Sequence, residues 1–199
     1  SYRAMRGLGR ADALITLLTT RAPEPAALHG LLCCALTLID FDESDSSAPY
    51  EIFTVVNQAV QAASADPAMA HAKGMVNAVL RRFLRERKTL VTDVLRQPVA
   101  QWNYPSWWID ALRSAYPKDW QAILQAGNAA PPLILRVNQR RTTPAAYLAL
   151  LAEQQIVARQ VGPDAIRLEQ AVPVLQIPGF IEGLVSVQDA AAQLAAPLL

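Results

Sequence analysis

The sequence predicts an α-rich protein in two parts, an all-α helical bundle followed by a small α/β (α+β) subdomain. Three observations carry that expectation. Up to about residue 90 apolar residues recur at three- and four-residue steps, without strand-like alternation. From Val91 to Tyr104 the hydrophobic repeat thins out around Pro98, which marks residues 91–104 as a linker between parts spanning 1–90 and 105–199. Beyond Pro131 the period shortens to that of extended chain, in short runs bounded by turn formers.

Residues 2–20 place Met5, Leu8, Ala11, Leu14, Ile15 and Leu18 on one helical face, with Arg3, Arg6 and Arg10 gathered near the start. Pro23 and Pro25 break the chain, and Ala26 to Ile39 is apolar nearly all round, as expected of a central helix with little exposure. Asp40 to Pro49 is acidic and serine-rich and reads as a solvated loop. A helix resumes from Tyr50 to Ala63 with Ile52, Val55, Val56, Ala59 and Val60 inward.

The next helix, Asp66 to Lys88, carries the densest positive charge. Asp66 suits a cap and Pro67 a first turn, while Met69, Ala72, Val76, Val79, Leu80 and Phe83 form the apolar stripe. Lys73, Asn77, Arg81 and Arg85 follow at four-residue steps on the other face, with Arg82, Arg87 and Lys88 beside them and Glu86 opposing. Stacked like charges repel by roughly 0.2 to 0.5 kcal/mol per pair, so an anionic partner would relieve the strain, although a solvated face is the simpler account. Gly74, inside this helix, predicts close approach of a neighbouring backbone.

In the second part Ser106 suits the cap of a helix running to Tyr116, and Asp119 to Ala126 forms another. Trp107, Trp108 and Trp120 are expected to fill the core of a small domain. LILRVN at 133–138, IVARQV, AIRLEQ and PVLQI read as strands, with a helix from Thr143 to Gln155 capped by Thr143 and begun by Pro144. A turn at Pro178-Gly179-Phe180 leads to a strand at Leu184 to Val187 and a helix entered through Gln188 and Asp189.

A composition of 52% hydrophobic and 18% charged residues in 199 supports one large or two small globular domains and excludes a disordered chain. The net charge of +1 confines any nucleic-acid contact to local patches. No apolar run is long enough to span a bilayer, so no membrane partner is expected. Cys33 and Cys34, being adjacent on a helix, point apart and read as buried inert thiols; His29 shares a face with Cys33, but two ligands without a third predict no metal. Two unpaired cysteines and no secretion signal suit the cytoplasm. Both ends read as cut, which suggests a fragment of a longer protein. Gly179 and Gly183 lack a phosphate-loop context, and no Ser/His/Asp set can be assembled from these residues, so spacing alone names no reaction.

Two stretches resemble known families. KGMVNAVLRRF, preceded by VVNQAV and LGRADALI, resembles the NusB-like helical RNA-binding domain, with Gly74, Asn77, Val79, Leu80 and Arg81 at the matching positions. That resemblance implies a basic surface meeting RNA, carried here by Lys73, Asn77, Arg81, Arg82 and Arg85. Ser1 enters at about the family's third helix. YPSWWIDALRSAYPKDWQAILQAGNAAPPLILRVNQRRTT, followed by PDAIRLEQAVPVLQIPGFIEGLVSVQDAAAQL, is similar to the region before the catalytic domain in the bacterial 16S rRNA cytosine-5 methyltransferase family (RsmB, also Sun or Fmu).

This second resemblance implies an S-adenosylmethionine-dependent transferase whose cysteine chemistry and cofactor loop lie beyond Leu199, so no catalytic residue falls in this chain and the piece alone binds no cofactor and is inactive. It further implies an RNA-facing strand with Arg136 and Asn138, a positive strip continued by Arg140 and Arg141, 16S rRNA as partner, and Gln188 and Asp189 as the hinge towards the catalytic domain. Arg136 as a surface ion pair, Asn138 as a turn former and Asp189 as an ordinary cap are the plainer accounts. Two other readings stand beside this one: a NusB-like antitermination module without catalysis, and a purely structural helical interaction domain.

Overall fold

The computed structural model describes residues 2–40, 50–195 and 198. The acidic segment expected as a loop lies outside the described residues from Phe41 to Pro49. The chain forms two compact units, Ser1–Ala129 and Ala130–Leu199.

Among the described residues the regular elements of the first unit are all helices: α1 (Tyr2–Arg6), α2 (Leu8–Leu18), α3 (Ala26–Ile39), α4 (Ile52–Ala65), α5 (Lys73–Val94), α6 (Pro98–Trp102), α7 (Ser106–Ala115) and α8 (Trp120–Asn128). Its main core is built from the predicted stripes, with Leu14, Ile15, Leu32, Leu36, Ile39, Val76, Leu80 and Phe83 all buried. Burying one such Leu, Ile or Phe side chain contributes about 1.5 to 3 kcal/mol, so these few positions dominate the packing energy.

Residues 2–20, expected as one helix, divide at Gly7. A Cβ at Gly9 would lie 2.5 Å from the Val99 carbonyl oxygen, so the glycine is what lets α2 touch the backbone of α6. Asn103, just past α6, completes the join: its Oδ1 accepts the Arg10 backbone N–H at 2.8 Å, one of the donors that the first turn of a helix leaves unsatisfied.

Residues 91–104 are therefore not a linker. Pro98 begins α6 at a first-turn position, where its missing N–H costs nothing, and Val94, Ala100 and Trp102 are buried. The boundary between units falls at Ala129–Ala130. α5 also starts later than expected. Asp66 ends α4 and accepts the Ala68 N–H at 2.8 Å, and a turn and a short 3-10 segment (Ala70–Ala72) precede Lys73.

Gly74 has nothing within 4 Å of a built Cβ, contrary to the expected backbone contact; it sits in the first turn of α5 and faces open space. α3 is not buried all round, since Cys34 is exposed and Leu31 and Leu38 half-buried beside α4, along an apolar surface groove of about 570 Å³.

Ser106 does not cap α7; Pro105 occupies the cap position and Ser106 is already helical. Of the tryptophans, Trp107 is 67% exposed and Trp108 39%, and the buried ring is Trp102, which packs edge-on against Trp120 at 5.2 Å. Trp102, Ile109, Leu112 and Leu124 make a second small core within this unit.

The second unit is a four-stranded antiparallel sheet of β1 (Leu133–Val137), β2 (Ala158–Gln160), β3 (Ala165–Leu168) and β4 (Val185–Val187) in the order β2-β3-β1-β4. Helix α9 (Pro144–Glu153), capped by the Thr143 hydroxyl accepting from Ala146 N–H as expected, covers one face. There Tyr147 and Leu151 pack against Leu135, Val137, Ile166, Leu168 and Val185. The run PVLQI is not a strand; Val174–Gln176 forms a 3-10 turn, with Pro173 removing a ladder donor at its start. A last short helix, α10 (Ala190–Gln193), follows β4.

Candidate nucleic-acid interface

Amphipathicity fixes the orientation of α5. Because Val76, Val79, Leu80, Phe83 and Leu90 turn inward, the residues between them must face water, and Lys73, Arg81, Arg85 and Lys88 are all exposed. Asn77 is half-buried and its Oδ1 accepts from Arg81 Nε at 3.0 Å, which fixes the guanidinium while leaving its terminal N–H groups outward. Arg82 is half-buried and paired with Glu86 at 3.1 Å. Among the described residues no carboxylate pairs with Lys73, Arg81, Arg85 or Lys88.

Arg87, from the same helix, faces elsewhere. It lies 3.6 Å from Asp40 Oδ1, while Arg10 of α2 reaches Asp40 Oδ2 at 3.3 Å. Asp40, only 8% exposed at its side chain, thus gathers an arginine from each of two helices at the end of α3. The early arginine Arg10 and the basic helix do meet, around a buried carboxylate that removes both charges from the free surface.

In the second unit Arg136 lies mid-β1 on the sheet face away from α9, and its guanidinium donates to Gln188 Oε1 at 3.3 Å. Asn138 organises the turn that follows. Its Nδ2 donates to the Gly183 carbonyl at 2.9 Å and its Oδ1 accepts the Arg140 N–H at 3.2 Å, leaving one N–H and one lone pair for anything else.

Arg140 is exposed, and Arg141 donates to the Glu182 carbonyl. Arg136, Asn138, Arg140, Asp164, Gly183 and Ser186 line a polar depression of about 530 Å³. Of the two residues expected as a hinge, Gln188 holds Arg136 and Asp189 caps α10 by accepting the Ala191 N–H at 2.8 Å.

Two arginines were not foreseen. The register pairs Arg159 of β2 with Arg167 of β3, and Arg167 is diagonal to Arg136, so all three share the face away from α9. Arg159 is paired with Glu169 at 3.0 Å, while the buried Nε of Arg167 has no partner among the described residues. Only cross-strand register reveals this row.

The histidine–cysteine pair also gains an unforeseen third member. His29 Nε2 lies 2.9 Å from Asp12 Oδ1, and Cys33 Sγ lies 3.7 Å from His29 Nδ1 and 3.8 Å from Asp12 Oδ1. Burial, reinforced by the Asp12 charge, pushes the Cys33 thiol up to about 12, which leaves it protonated at neutral pH. The expectation that no third ligand exists is corrected: helix packing brings Asp12 of α2 against α3.

The Gly179–Gly183 turn does not offer S-adenosylmethionine an open backbone cradle. The turn with two positive-φ glycines, Gly179 and Gly183, closes on itself, since a Cβ at Gly179 would strike the Leu184 side chain. No described helix is long and apolar enough to cross a membrane.

Residues 104–175 match the RsmF/B-like methyltransferase ferredoxin-like domain family. A ribosomal RNA small subunit methyltransferase B from Pseudomonas putida strain KT2440 is 52% identical over 130 residues, covering 64% of this chain and 30% of the relative. That of Pasteurella multocida strain Pm70 is 46% identical over 147 residues, covering 72% and 32%. A protein of Coxiella burnetii named as a probable member is 42% identical over 148 residues, covering 73% and 34%. The chain thus spans about a third of the length of these curated relatives. The crystal structure of PH0851 superposes with a TM-score of 0.74 at 16% identity, covering 99% of this chain and 44% of that one, which establishes a shared fold. These matches bear out the resemblance read from the second stretch.

Proposed function

We propose that this relative of the ribosomal RNA small subunit methyltransferase B proteins holds and orients small-subunit rRNA for a cytosine-5 methyl transfer carried out elsewhere in the whole protein. The observation that carries the reading is the outer face of α5: four exposed cations in a row, none neutralised by a described carboxylate. A phosphate backbone is the natural complement to such a row, because each contact releases condensed counterions and relieves the repulsion along the helix. Arg81, steadied by Asn77, offers a guanidinium already oriented for a two-pronged phosphate contact.

The second unit adds a different kind of contact. Arg136 and Arg140 flank a polar depression wide enough for a sugar–phosphate unit or an unstacked base. Gln188 fixes the direction of Arg136, and Asn138 holds the loop that carries Arg140 and Arg141. In the whole protein S-adenosylmethionine would supply the methyl group; no residue of this chain is assigned to it, and the chain by itself transfers no methyl group.

The test is binding of a 16S rRNA fragment by the chain and by its Arg81→Glu/Arg85→Glu variant. Reversing two of the four free charges should weaken binding by roughly tenfold or more, because two phosphate contacts are replaced by repulsions. The control is Arg96→Glu, a 77% exposed arginine paired with Asp93, which should bind within about twofold of the parent. Equal affinity for all three proteins, with intact helical circular dichroism, returns α5 to an ordinary solvated face.

A further inference from the structure

We propose that Asp12, His29 and Cys33 form a site for one zinc-class divalent cation in the helical unit, bridging α2 and α3. This inference is independent of the RNA reading. His29 and Cys33 are one turn apart on α3 and so project from the same side, and the packing of α2 brings Asp12 to meet them. The three donor atoms all lie within 4.8 Å of one another.

Bond lengths of about 2.0–2.3 Å in a tetrahedral shell put neighbouring donors about 3.3–3.8 Å apart. The sulfur–oxygen edge at 3.8 Å already has that length. The nitrogen 3.7 Å from the sulfur is Nδ1, whereas the one 2.9 Å from Asp12 Oδ1 is Nε2, so the imidazole must turn to present a single nitrogen to both partners and gives up its hydrogen bond to Asp12 in doing so. The ring has room to do so, because its side chain is 37% exposed and that of Asp12 54%.

The donor set selects the class of ion. One thiolate, one imidazole and one carboxylate suit zinc or cobalt, whereas magnesium and calcium seek oxygen alone. Cys33, which is buried, forms the floor of the site, and the exposed side leaves a fourth position for water. On binding, the Cys33 thiol gives its proton to solvent and forms the metal–sulfur bond, His29 ligates as the neutral ring, and Asp12 ligates as carboxylate in place of its hydrogen bond to the ring. The bound ion would pin α2 to α3.

The experiment uses the full chain, stripped of metal by chelation and titrated with cobalt(II), a coloured stand-in for zinc. A sulfur-to-cobalt charge-transfer band and tetrahedral visible bands should grow to saturation at one equivalent and vanish on addition of zinc. Cys34→Ser should retain the bands, Cys33→Ser should lose the charge-transfer band, and Asp12→Asn should weaken cobalt binding about tenfold or more. Should Cys33→Ser fail to fold, His29→Gln at its half-exposed position serves instead, and must lose tetrahedral cobalt with its helical circular dichroism intact. No charge-transfer band at saturating cobalt, a band that survives Cys33→Ser or disappears in Cys34→Ser, or unchanged binding by His29→Gln overturns the site and leaves a hydrogen-bonded Asp–His–Cys cluster.

Discussion

Replacing Asp40 by asparagine tests whether the buried carboxylate ties the helical unit together. The substitution keeps the volume and removes the charge that Arg10 and Arg87 share at 3.3 and 3.6 Å. At an effective dielectric of about 20, each gross attraction is roughly 4 to 5 kcal/mol, most of it cancelled by the cost of drying the ions. Removing one partner of a fully buried pair costs about 3 to 5 kcal/mol; here the arginine side chains are 29% and 23% exposed and recover part of their hydration. The expected loss is about 2 to 3 kcal/mol, or roughly 4 to 12 °C in Tm for a chain of this length. Thermal unfolding followed by circular dichroism at 222 nm (a helix wavelength) reads it directly. In a double-mutant cycle Arg10→Met should cost less in the Asp40→Asn background than in the parent, by about 1 kcal/mol or more. A loss below about 0.5 kcal/mol, with no coupling between the two positions, would refute the reasoning and make the cluster an ordinary surface contact.

Tyr147→Phe removes the hydroxyl that donates to the Pro178 carbonyl at 2.8 Å, and should destabilise the second unit by about 1 to 1.5 kcal/mol in urea unfolding with an unchanged m-value. The same tyrosine sets an alkaline limit. Burial pushes its phenol from 10.0 up to about 12, so the unfolded chain releases the proton first, and the stability it contributes is present below pH 10 and falls as pH rises from about 10 to 12. The Phe variant should show a shallower decline over that window, and an identical decline would remove Tyr147 as its cause. Gly9→Ala places a methyl group against the Val99 carbonyl oxygen, and should cost about 1 to 3 kcal/mol by forcing α2 from α6; a neutral or stabilising effect in the same unfolding assay would contradict that contact.

The elements that were legible in the sequence are those whose burial repeats locally. The apolar stripes of α2 and α5, the cap at Thr143 and the strands β1, β3 and β4 all follow from short-range periodicity. Pro98 misled because proline reads as a break from outside a helix and as a beginning from inside one, and only the burial of Val94, Ala100 and Trp102 decides between them. The exposed charges of α5 were visible for the same periodic reason. Those that depend on distant neighbours were not: Asp12 meets His29 across two helices, Asp40 draws in Arg10 and Arg87, and Arg159 stands beside Arg167 only in the register of the sheet. Trp107 and Trp108 show the converse error, since residue type suggested core and helix phase turned both rings outward.

The most direct measurement of the central claim is the salt dependence of affinity between this chain and a single-stranded 16S rRNA fragment. Each phosphate contact adds about 0.7 to the slope of log affinity against log salt, so the four free cations of α5 predict a slope of roughly −3, falling to about half that in Arg81→Glu/Arg85→Glu. A slope near zero, or one untouched by the double charge reversal, would contradict the assignment of α5 as an RNA-holding surface.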